Sequence, residues 1–199
     1  MPITDAAFAD LLDARVSEPH RIAAALAVRR QRTTPAPDGV LFIVAADHPA
    51  RGALGAGADA MAMADRRRLL DRLALALDHP RVDGVLGSAD VLEYLVLLGR
   101  LDDRVAIGTM NRGGLHGARW EIDDRMTAYD AQHIELSHLD GGKVLLRLDD
   151  DDAGTAATLE ACGRAVTELA DRRLVAMVEP LAYRTDAAGR ATADHDVDR

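Results

Sequence analysis

The sequence has little cysteine, few aromatic residues and no long apolar run. Its 199 residues include one cysteine, Cys162, which excludes a framework of internal disulfides. Aromatic side chains make up 3% of the chain, too few for a base-stacking surface. No apolar run reaches the roughly 18 to 20 residues that span a bilayer. The acidic N-terminus also lacks the apolar core of a secretory signal, so we expect a cytoplasmic protein.

Positive charge is scarce as well. Acidic residues number 33 and basic residues 24, which gives a net charge of −9 and disfavours binding to nucleic acid or to an anionic membrane. Lys143 is the only lysine, so amine chemistry within these 199 residues has a single candidate. Hydrophobic residues make up 48% of the chain, enough for a substantial core. The composition therefore predicts a globular protein that binds neither nucleic acid nor membrane.

Short apolar segments alternate with helical segments along the chain. The predicted strands are residues 40–46, 82–87, 104–110, 143–149 and 174–181. The predicted helices lie at 4–32, 65–79, 91–101, near 123–132 and at 153–172. The first of these is expected in two pieces, with Ser17 as the cap of the second. In the helix at 65–79 the spacing turns Leu69, Leu70, Leu73 and Leu77 inward. This alternation predicts a parallel sheet with right-handed crossovers. The continuous apolar run from Val40 to Ala46 indicates a strand that is buried on both faces.

Two α/β architectures have this element order. A doubly wound open sheet is complete with five strands, whereas a (β/α)8 barrel of the TIM type takes about 250 residues and needs three more. After the fifth predicted strand the sequence turns polar and supplies no helix to cover an open sheet. We therefore predict the first five units of a (β/α)8 barrel. Its parts are a helical segment (1–38), a partial barrel (39–183) and a polar, disordered tail (184–199).

Candidate site residues follow the predicted strands, because both architectures place their sites at the carboxyl ends of parallel strands. Asp47 is the strongest, since it closes an apolar strand and Pro49 behind it leaves no helix to cap. Arg51 is a candidate anion contact in a glycine-rich loop that we interpret as a lid, with an ordinary flexible loop as the alternative. Lys143 opens its strand and is expected in the bottom layer of the barrel, with Arg147 one layer higher. The remaining candidates are His48, Ser88, Asp90, Thr109, Asn111, Arg112, Asp149, Glu179 and Tyr183.

Structural roles compete with several of these functional interpretations. Asp90 and Asp149 are also explained as caps of the helices that follow them. Cys162 lies on the apolar stripe of a predicted helix and is therefore a core residue rather than a nucleophile. It shares that stripe with Leu159, Val166 and Leu169. Seven histidines raise a metal hypothesis, but His133 and His138 are five residues apart and do not share a helix face. His48, His116 and nearby acids could converge only through the fold.

Five segments carry a resemblance to a known family. They are LFIVAADHPARGALG, VDGVLGSADVLEYLVLLG, VAIGTMNRGGLHGARWEIDDRMTAYDA, GGKVLLRLDDDDAGTAATLEAC and LVAMVEPLAYR. Over about residues 5 to 185 the chain resembles class I aldolase-like barrel proteins related to deoxyribose-phosphate and tagatose-bisphosphate aldolases. Some actinobacterial members of that family are associated with inositol catabolism.

The resemblance implies reversible carbon–carbon bond cleavage in a phosphorylated sugar or deoxy-keto sugar acid, with no cofactor. In such enzymes a lysine amine forms an iminium with the substrate carbonyl, which provides an electron sink for the breaking bond. Asp47 matches a strand-one acid that handles hydroxyl protons, Glu179 a strand-five acid that assists proton transfer, and Lys143 a lysine that opens strand four. His48, Arg51, Asn111, Arg147 and Tyr183 are the expected substrate contacts.

The iminium lysine itself is expected on a sixth barrel strand, which the sequence does not reach. The phosphate-binding loops after strands seven and eight would be absent too. We therefore expect a C-terminally truncated, inactive aldolase that self-associates through unpaired strand edges. The alternatives are a non-catalytic barrel fragment that binds a ligand or partner, and a metal-dependent lyase that uses His48.

Overall fold

The architecture is a curled parallel sheet with helices on its outer side. A computed structural model describes residues 2–32, 36, 39–111, 125–185 and 191–193. The strands are β1 (Ile43–Ala46), β2 (Gly84–Gly87), β3 (Val105–Thr109), β4 (Gly141–Leu148), β5 (Val175–Thr185) and β6 (Ala191–Ala193). The α-helices are α1 (Asp5–Ser17), α2 (His20–Val28), α3 (Arg66–Leu77), α4 (Ala89–Leu97), α5 (Ala131–Leu136) and α6 (Gly154–Asp171), and a 3₁₀ helix spans His48–Arg51.

The sheet has the order β1-β2-β3-β4-β5-β6, and its first five strands are parallel. The predicted parallel α/β fold is therefore confirmed. The sheet is strongly curved. This is shown by Lys143 of β4, whose Nζ lies 2.8 Å from Oδ2 of Asp47, the residue that follows β1 in the chain. In a flat sheet these two strands would stand roughly 14 Å apart, at about 4.8 Å per strand spacing. The five parallel strands thus form a half-barrel, consistent with the predicted partial barrel.

Side-chain alternation divides the core into two layers. On the outer side of the strands, helices α3, α4 and α6 bury leucine and valine side chains against the sheet. The leucines predicted to face inward on α3 are buried: Leu69, Leu70, Leu73 and Leu77. On the inner side, Leu86, Val105 and Ile107 form a separate apolar cluster. This inner cluster forms part of the floor of the half-barrel.

The N-terminal segment forms two helices, as predicted, and packs into the helix-side core through Leu11, Ile22 and Leu26. Its internal boundary differs from the prediction. Ser17 is the last residue of α1 and donates to Asp13 Oδ1 at 2.8 Å, so it does not cap α2. None of these helices, nor any other in the described ranges, is long and apolar enough to cross a membrane.

The first strand is shorter and more exposed than the sequence indicates. Val40 and Phe42 are 73% and 56% exposed, and the strand begins only at Ile43. The prediction that residues 40–46 are buried on both faces is therefore wrong, since only Ala46 of this run is buried. The physical reason is position: β1 is an edge strand with a neighbour on one side only.

Two other predicted boundaries are corrected. The helix expected near 123–132 begins at Ala131, behind an Asp130 side chain that accepts from the His133 backbone N–H at 2.7 Å. Its first predicted residues, 123 and 124, lie outside the described ranges. The tail predicted as disordered contributes β-structure, because β5 runs on to Thr185 and β6 pairs with it antiparallel. Residues 186–190 and 194–199 lie outside the described part of the chain.

Cys162 lies on α6 and is buried in the hydrophobic core, as predicted, and burial raises the pKa of its thiol. Leu159, assigned to the same stripe, is instead 48% exposed. We expect Cys162→Ala to lower the unfolding free energy by about 1 to 2 kcal/mol, as a modest core truncation does, without affecting any ligand chemistry. Chemical denaturation measures this change. A folded Cys162→Ala protein that has lost its chemistry would show that the thiol is functional.

Candidate active site

The candidate site is centred on Lys143 in β4. Alternation along this strand turns Lys143, Leu145 and Arg147 toward the inside of the half-barrel, while Val144 and Leu146 face the helices. Two glycines precede Lys143, because β5 crowds Gly141 and the helix-side core crowds Gly142. A Cβ on Gly142 would lie 2.6 Å from Ile134 Cδ1. The local sequence thus packs the start of β4 tightly and presents one lysine to the interior.

Lys143 lies higher in the half-barrel than the sequence suggests. The strand register aligns Gly142 with Gly108, Gly87 and Ala46, so Lys143 stands level with Thr109 and with Asp47. The expectation that Lys143 belongs to the bottom layer is therefore wrong. The strands are staggered, and β4 starts where β1, β2 and β3 end.

Two carboxylates hold the Lys143 ammonium. Its Nζ lies 2.8 Å from Asp47 Oδ2 and 2.5 Å from Glu179 Oε2. The Lys143 side chain is 3% exposed and that of Asp47 is 11% exposed, whereas Glu179 is 47% exposed. The structure therefore brings together the three residues predicted to be catalytic. Hydrogen bonds and Coulomb attraction at these distances stabilise the charged ammonium in a site largely removed from water.

The backbone after β1 fixes the position of Asp47. The 3₁₀ helix begins at the next residue with Pro49 in its first turn, and Gly52 ends it with φ of 81°, a conformation that favours glycine. Asp47 makes no side-chain cap to that helix, so its carboxylate turns into the half-barrel. Its second oxygen, Oδ1, is 3.7 Å from His48 Nδ1, and His48 is 40% exposed. Asp47 thus stands between a buried lysine and an imidazole that reaches solvent.

This arrangement suits proton transfer. Glu179 and His48 connect opposite sides of the buried Asp47–Lys143 pair to solvent. A carboxylate held at hydrogen-bond distance from a charged donor is a typical general acid–base group. An ammonium with two carboxylate partners is, by contrast, a hydrogen-bond donor and not a free nucleophile.

The structure places the residues that were expected to contact substrate in different environments. Asn111 uses both atoms of its amide on the backbone of Leu145, donating at 2.8 Å and accepting at 2.9 Å, so it fastens β3 to β4. Arg147 lies on the inner face of β4 and is fully buried. Arg51 ends the 3₁₀ helix and is half-buried. The backbone of Tyr183 pairs with Ala193. The predicted contact of its side chain with substrate lies outside the described part of the structure.

A polar cavity of about 420 Å³ borders the same rim. It lies between the end of β3 at Thr109 and two ion pairs, Arg66–Asp90 at 2.5 Å and Arg15–Glu93 at 2.6 Å. Asp90 is not the helix cap that the sequence allowed: it lies in the first turn of α4, behind Ser88 at the N-cap, and accepts from Ser88 Oγ at 2.5 Å. The sequence prediction missed Arg15, since nothing in the pattern of α1 distinguishes it from the other surface arginines.

The loop after the 3₁₀ helix has its own pairing. Ala56 and Asp59 form an antiparallel bridge, and the Met63 N–H donates to the Leu54 carbonyl at 2.9 Å. The interpretation of this loop as a lid stays a prediction. Asp149 does not cap α6, whose N-cap is Ala153; its side chain accepts from the Asp151 N–H at 3.1 Å in the turn after β4. Arg112 lies outside the described ranges.

The metal alternative gains no support from the described residues. Within them, no three histidine, cysteine, aspartate or glutamate side chains converge in a group that could hold a metal ion. His133 is exposed at the surface, where its Nδ1 lies 2.8 Å from the carboxylate oxygen Oδ1 of Asp130. His116 lies outside the described ranges.

The fold and site together define a class: an α/β half-barrel with a buried lysine between two carboxylates at the carboxyl ends of its strands. Comparison with known families then places the chain. The sequence profile of the Cgl0159-like family matches residues 39–199, so the chain belongs to that family. A comparison with curated proteins found no match.

A solved structure supports the same assignment. The crystal structure of Cgl0159 from Corynebacterium glutamicum, a structural-genomics target, is 46% identical in sequence and superimposes with a TM-score of 0.92. The match covers 96% of the present chain and 65% of the Corynebacterium chain. The present chain therefore spans about two thirds of the length of that relative.

Proposed function

We propose that the protein is a lysine-dependent aldolase of the (β/α)8 class that cleaves a carbon–carbon bond in a phosphorylated sugar or deoxy-keto sugar acid. The observation that carries the proposal is the Asp47–Lys143–Glu179 cluster, buried on the lysine side and open on the glutamate side. The same three residues match the strand-one acid, strand-four lysine and strand-five acid of the aldolases that the sequence resembles.

The geometry favours a division of labour in proton transfer. Asp47 is the better-buried carboxylate of the two. It therefore takes the proton from the substrate hydroxyl that is carried by a carbon of the breaking carbon–carbon bond. Glu179 is nearer to solvent and exchanges protons with water during the formation and hydrolysis of the iminium. Lys143 holds both carboxylates in position and supplies a positive charge against the developing oxyanion.

The iminium requires a free amine from another lysine. Lys143 is the only lysine of these 199 residues and is engaged by two carboxylates. The proposal therefore assigns the electron sink to a lysine on a further barrel strand, as the resemblance implies. β6 is not that strand, because it is antiparallel and its three residues, ATA, contain no lysine.

Borohydride trapping tests this assignment directly. The 199-residue protein is incubated with a phosphorylated aldose or ketose, reduced, and analysed by mass spectrometry. We expect no stable adduct on Lys143, because its ammonium is held by two carboxylates. The control is the folded Asp47→Asn, Glu179→Gln double variant, in which a Lys143 freed of both charges becomes more reactive. A substrate-dependent adduct on Lys143 of the parent protein, with steady-state turnover, would make Lys143 the nucleophile.

A further inference from the structure

The polar cavity of about 420 Å³ lies beside the Lys143 cluster and is lined by other residues, among them Ser88 and Thr109. The strand register pairs Thr109 directly with Lys143, and it places Ser88 one residue beyond the Ala46–Gly87 pair. Ser88, Thr109 and Lys143 therefore stand at one level of the half-barrel, on strands that are about 5 Å from their neighbours. A ligand of a few carbon atoms that touches Lys143 can extend into the cavity.

Four charged side chains converge on this cavity. Arg66 pairs with Asp90 at 2.5 Å, and Arg15 pairs with Glu93 at 2.6 Å. The four side chains remain between 23% and 39% exposed, so pairing leaves part of each one open. A carboxylate oxygen has two lone pairs and a guanidinium has five N–H donors, more than these pairs use. The wall therefore offers both donors and acceptors to a ligand.

The charges of this wall cancel. Two guanidinium groups stand against two carboxylates, and among the described residues no other charged side chain lines the cavity. An anion such as phosphate would have to compete with Asp90 and Glu93 for the arginines, and a cation would be repelled by the arginines. A neutral ligand with several hydroxyl groups meets neither obstacle, because a hydroxyl donates to a carboxylate and accepts from a guanidinium.

We propose that the cavity binds a neutral polyhydroxyl chain, as in a sugar alcohol or the hydroxyl-bearing part of a sugar. Asp90 and Glu93 accept from the ligand hydroxyls, and Arg15 and Arg66 donate to the hydroxyl oxygens. The cavity volume falls within the roughly 300 to 1,000 Å³ that small-molecule sites occupy. The wall also contains three small apolar side chains that suit the C–H groups between hydroxyls: Ala50, Ala89 and Ala128.

One cation of the cavity comes from outside the region that the family profile matches. The profile covers residues 39–199, whereas Arg15 lies in the last turn of α1. The Arg15 guanidinium lies 4.5 Å from the ring centroid of Tyr94, and its Nη2 donates to Glu93. These two contacts with α4 fix the guanidinium at the cavity. The recognition of hydroxyl groups therefore depends in part on an N-terminal helix that the profile does not include.

The role of this ligand in the reaction rests on the proposed function. Under that proposal the carbon–carbon bond breaks beside Asp47 and Lys143, and the hydroxyl-bearing carbons remote from it extend past Thr109 into the cavity. The cavity then selects substrates by the number and configuration of their hydroxyl groups. Binding of a polyol to the cavity does not itself depend on the proposed chemistry.

Saturation-transfer NMR with sorbitol tests the proposal on the 199-residue chain, since this method reads ligand signals and tolerates self-association. We expect sorbitol to bind and inorganic phosphate not to displace it. Arg66→Met should weaken sorbitol binding by at least about tenfold, because it removes a charged donor. Ala50→Leu should do the same by filling the cavity without removing a charge. The matched control is Arg68→Met, at an exposed arginine of the same helix outside the cavity wall, which should bind as the parent does.

Further variants separate the cavity from misfolding and from the chemistry at Lys143. Circular dichroism checks the fold of each variant, and Glu93→Gln, with the same expected loss, replaces Arg66→Met if that protein does not fold. Lys143→Met should bind sorbitol as the parent does, so failure of the proposed aldolase leaves polyol binding measurable. The proposal is overturned if sorbitol does not bind, if phosphate displaces it, if Lys143→Met abolishes binding, or if the cavity variants bind as tightly as the parent.

Discussion

Asp47→Asn is expected to lower turnover by at least about a hundredfold, the usual cost of losing a positioned acid–base group. Asparagine keeps the size of the side chain and an oxygen for Lys143, so the loss reports the missing carboxylate and not a displaced backbone. Turnover is measured in a chain extended to the length of the Corynebacterium relative, of which the present chain covers 65%. Under the proposed mechanism the rate falls because no base accepts the hydroxyl proton.

The matched control is Asp150→Asn, an exposed aspartate in the turn after β4 at the same rim. It removes the same charge from the same end of the sheet without touching Lys143, and should leave turnover within a few-fold of the parent. If Asp47→Asn also stays within a few-fold, Asp47 has no part in the mechanism and its pair with Lys143 is structural.

Arg29→Ala is expected to lower the unfolding free energy by about 3 to 5 kcal/mol, the cost of breaking a buried ion pair from one side. The Arg29 side chain is 0% exposed, and its Nη2 donates to Asp140 Oδ2 at 3.0 Å and to the His138 carbonyl at 2.5 Å. Its Nη1 donates to the Arg104 carbonyl at 2.9 Å. Alanine leaves the buried Asp140 carboxylate without its cation.

The neighbouring residue provides the control for this prediction. Arg30 is 66% exposed and pairs with Asp102 and Asp103 at the surface. Arg30→Ala should therefore change the unfolding free energy by no more than about 1 kcal/mol. Urea denaturation of the two variants measures both values. Equal losses in the two would show that Arg29 does not hold α2 to the bottom of the sheet.

Most of the secondary structure could be predicted because local patterns dominate it. The five parallel strands and the helices between them follow from apolar runs, caps and helical periodicity, and α3 buries the leucines that its spacing indicates. The errors lie where burial depends on partners. Val40 and Phe42 are apolar but exposed, since β1 has a neighbour on one side only. Residues 191–193, which belong to the tail predicted as disordered, form a strand, since β5 offers them an edge.

The site was predicted residue by residue, but its geometry was not. Asp47 stood out because an acid closes an apolar strand, and Glu179 because it lies at the end of the fifth predicted strand and matches the strand-five acid of the aldolases that the sequence resembles. Asn111 was predicted to contact substrate, and the structure adds a role that the sequence did not indicate, since both atoms of its amide bond the backbone of Leu145. Nothing local distinguishes an amide that binds substrate from one that fastens two strands.

By itself the sequence determined the parallel α/β class, the single lysine available for chemistry and the absence of a disulfide framework, because these depend on composition and on period along the chain. Only the tertiary structure decided that Lys143 meets Asp47 and Glu179. The stagger between strands sets the level of Lys143 in the half-barrel. The curvature of the sheet brings Lys143 to Asp47 across the two intervening strands, β2 and β3. Both are properties of the whole sheet, produced by twist and by packing between strands distant in sequence, and no local pattern encodes them.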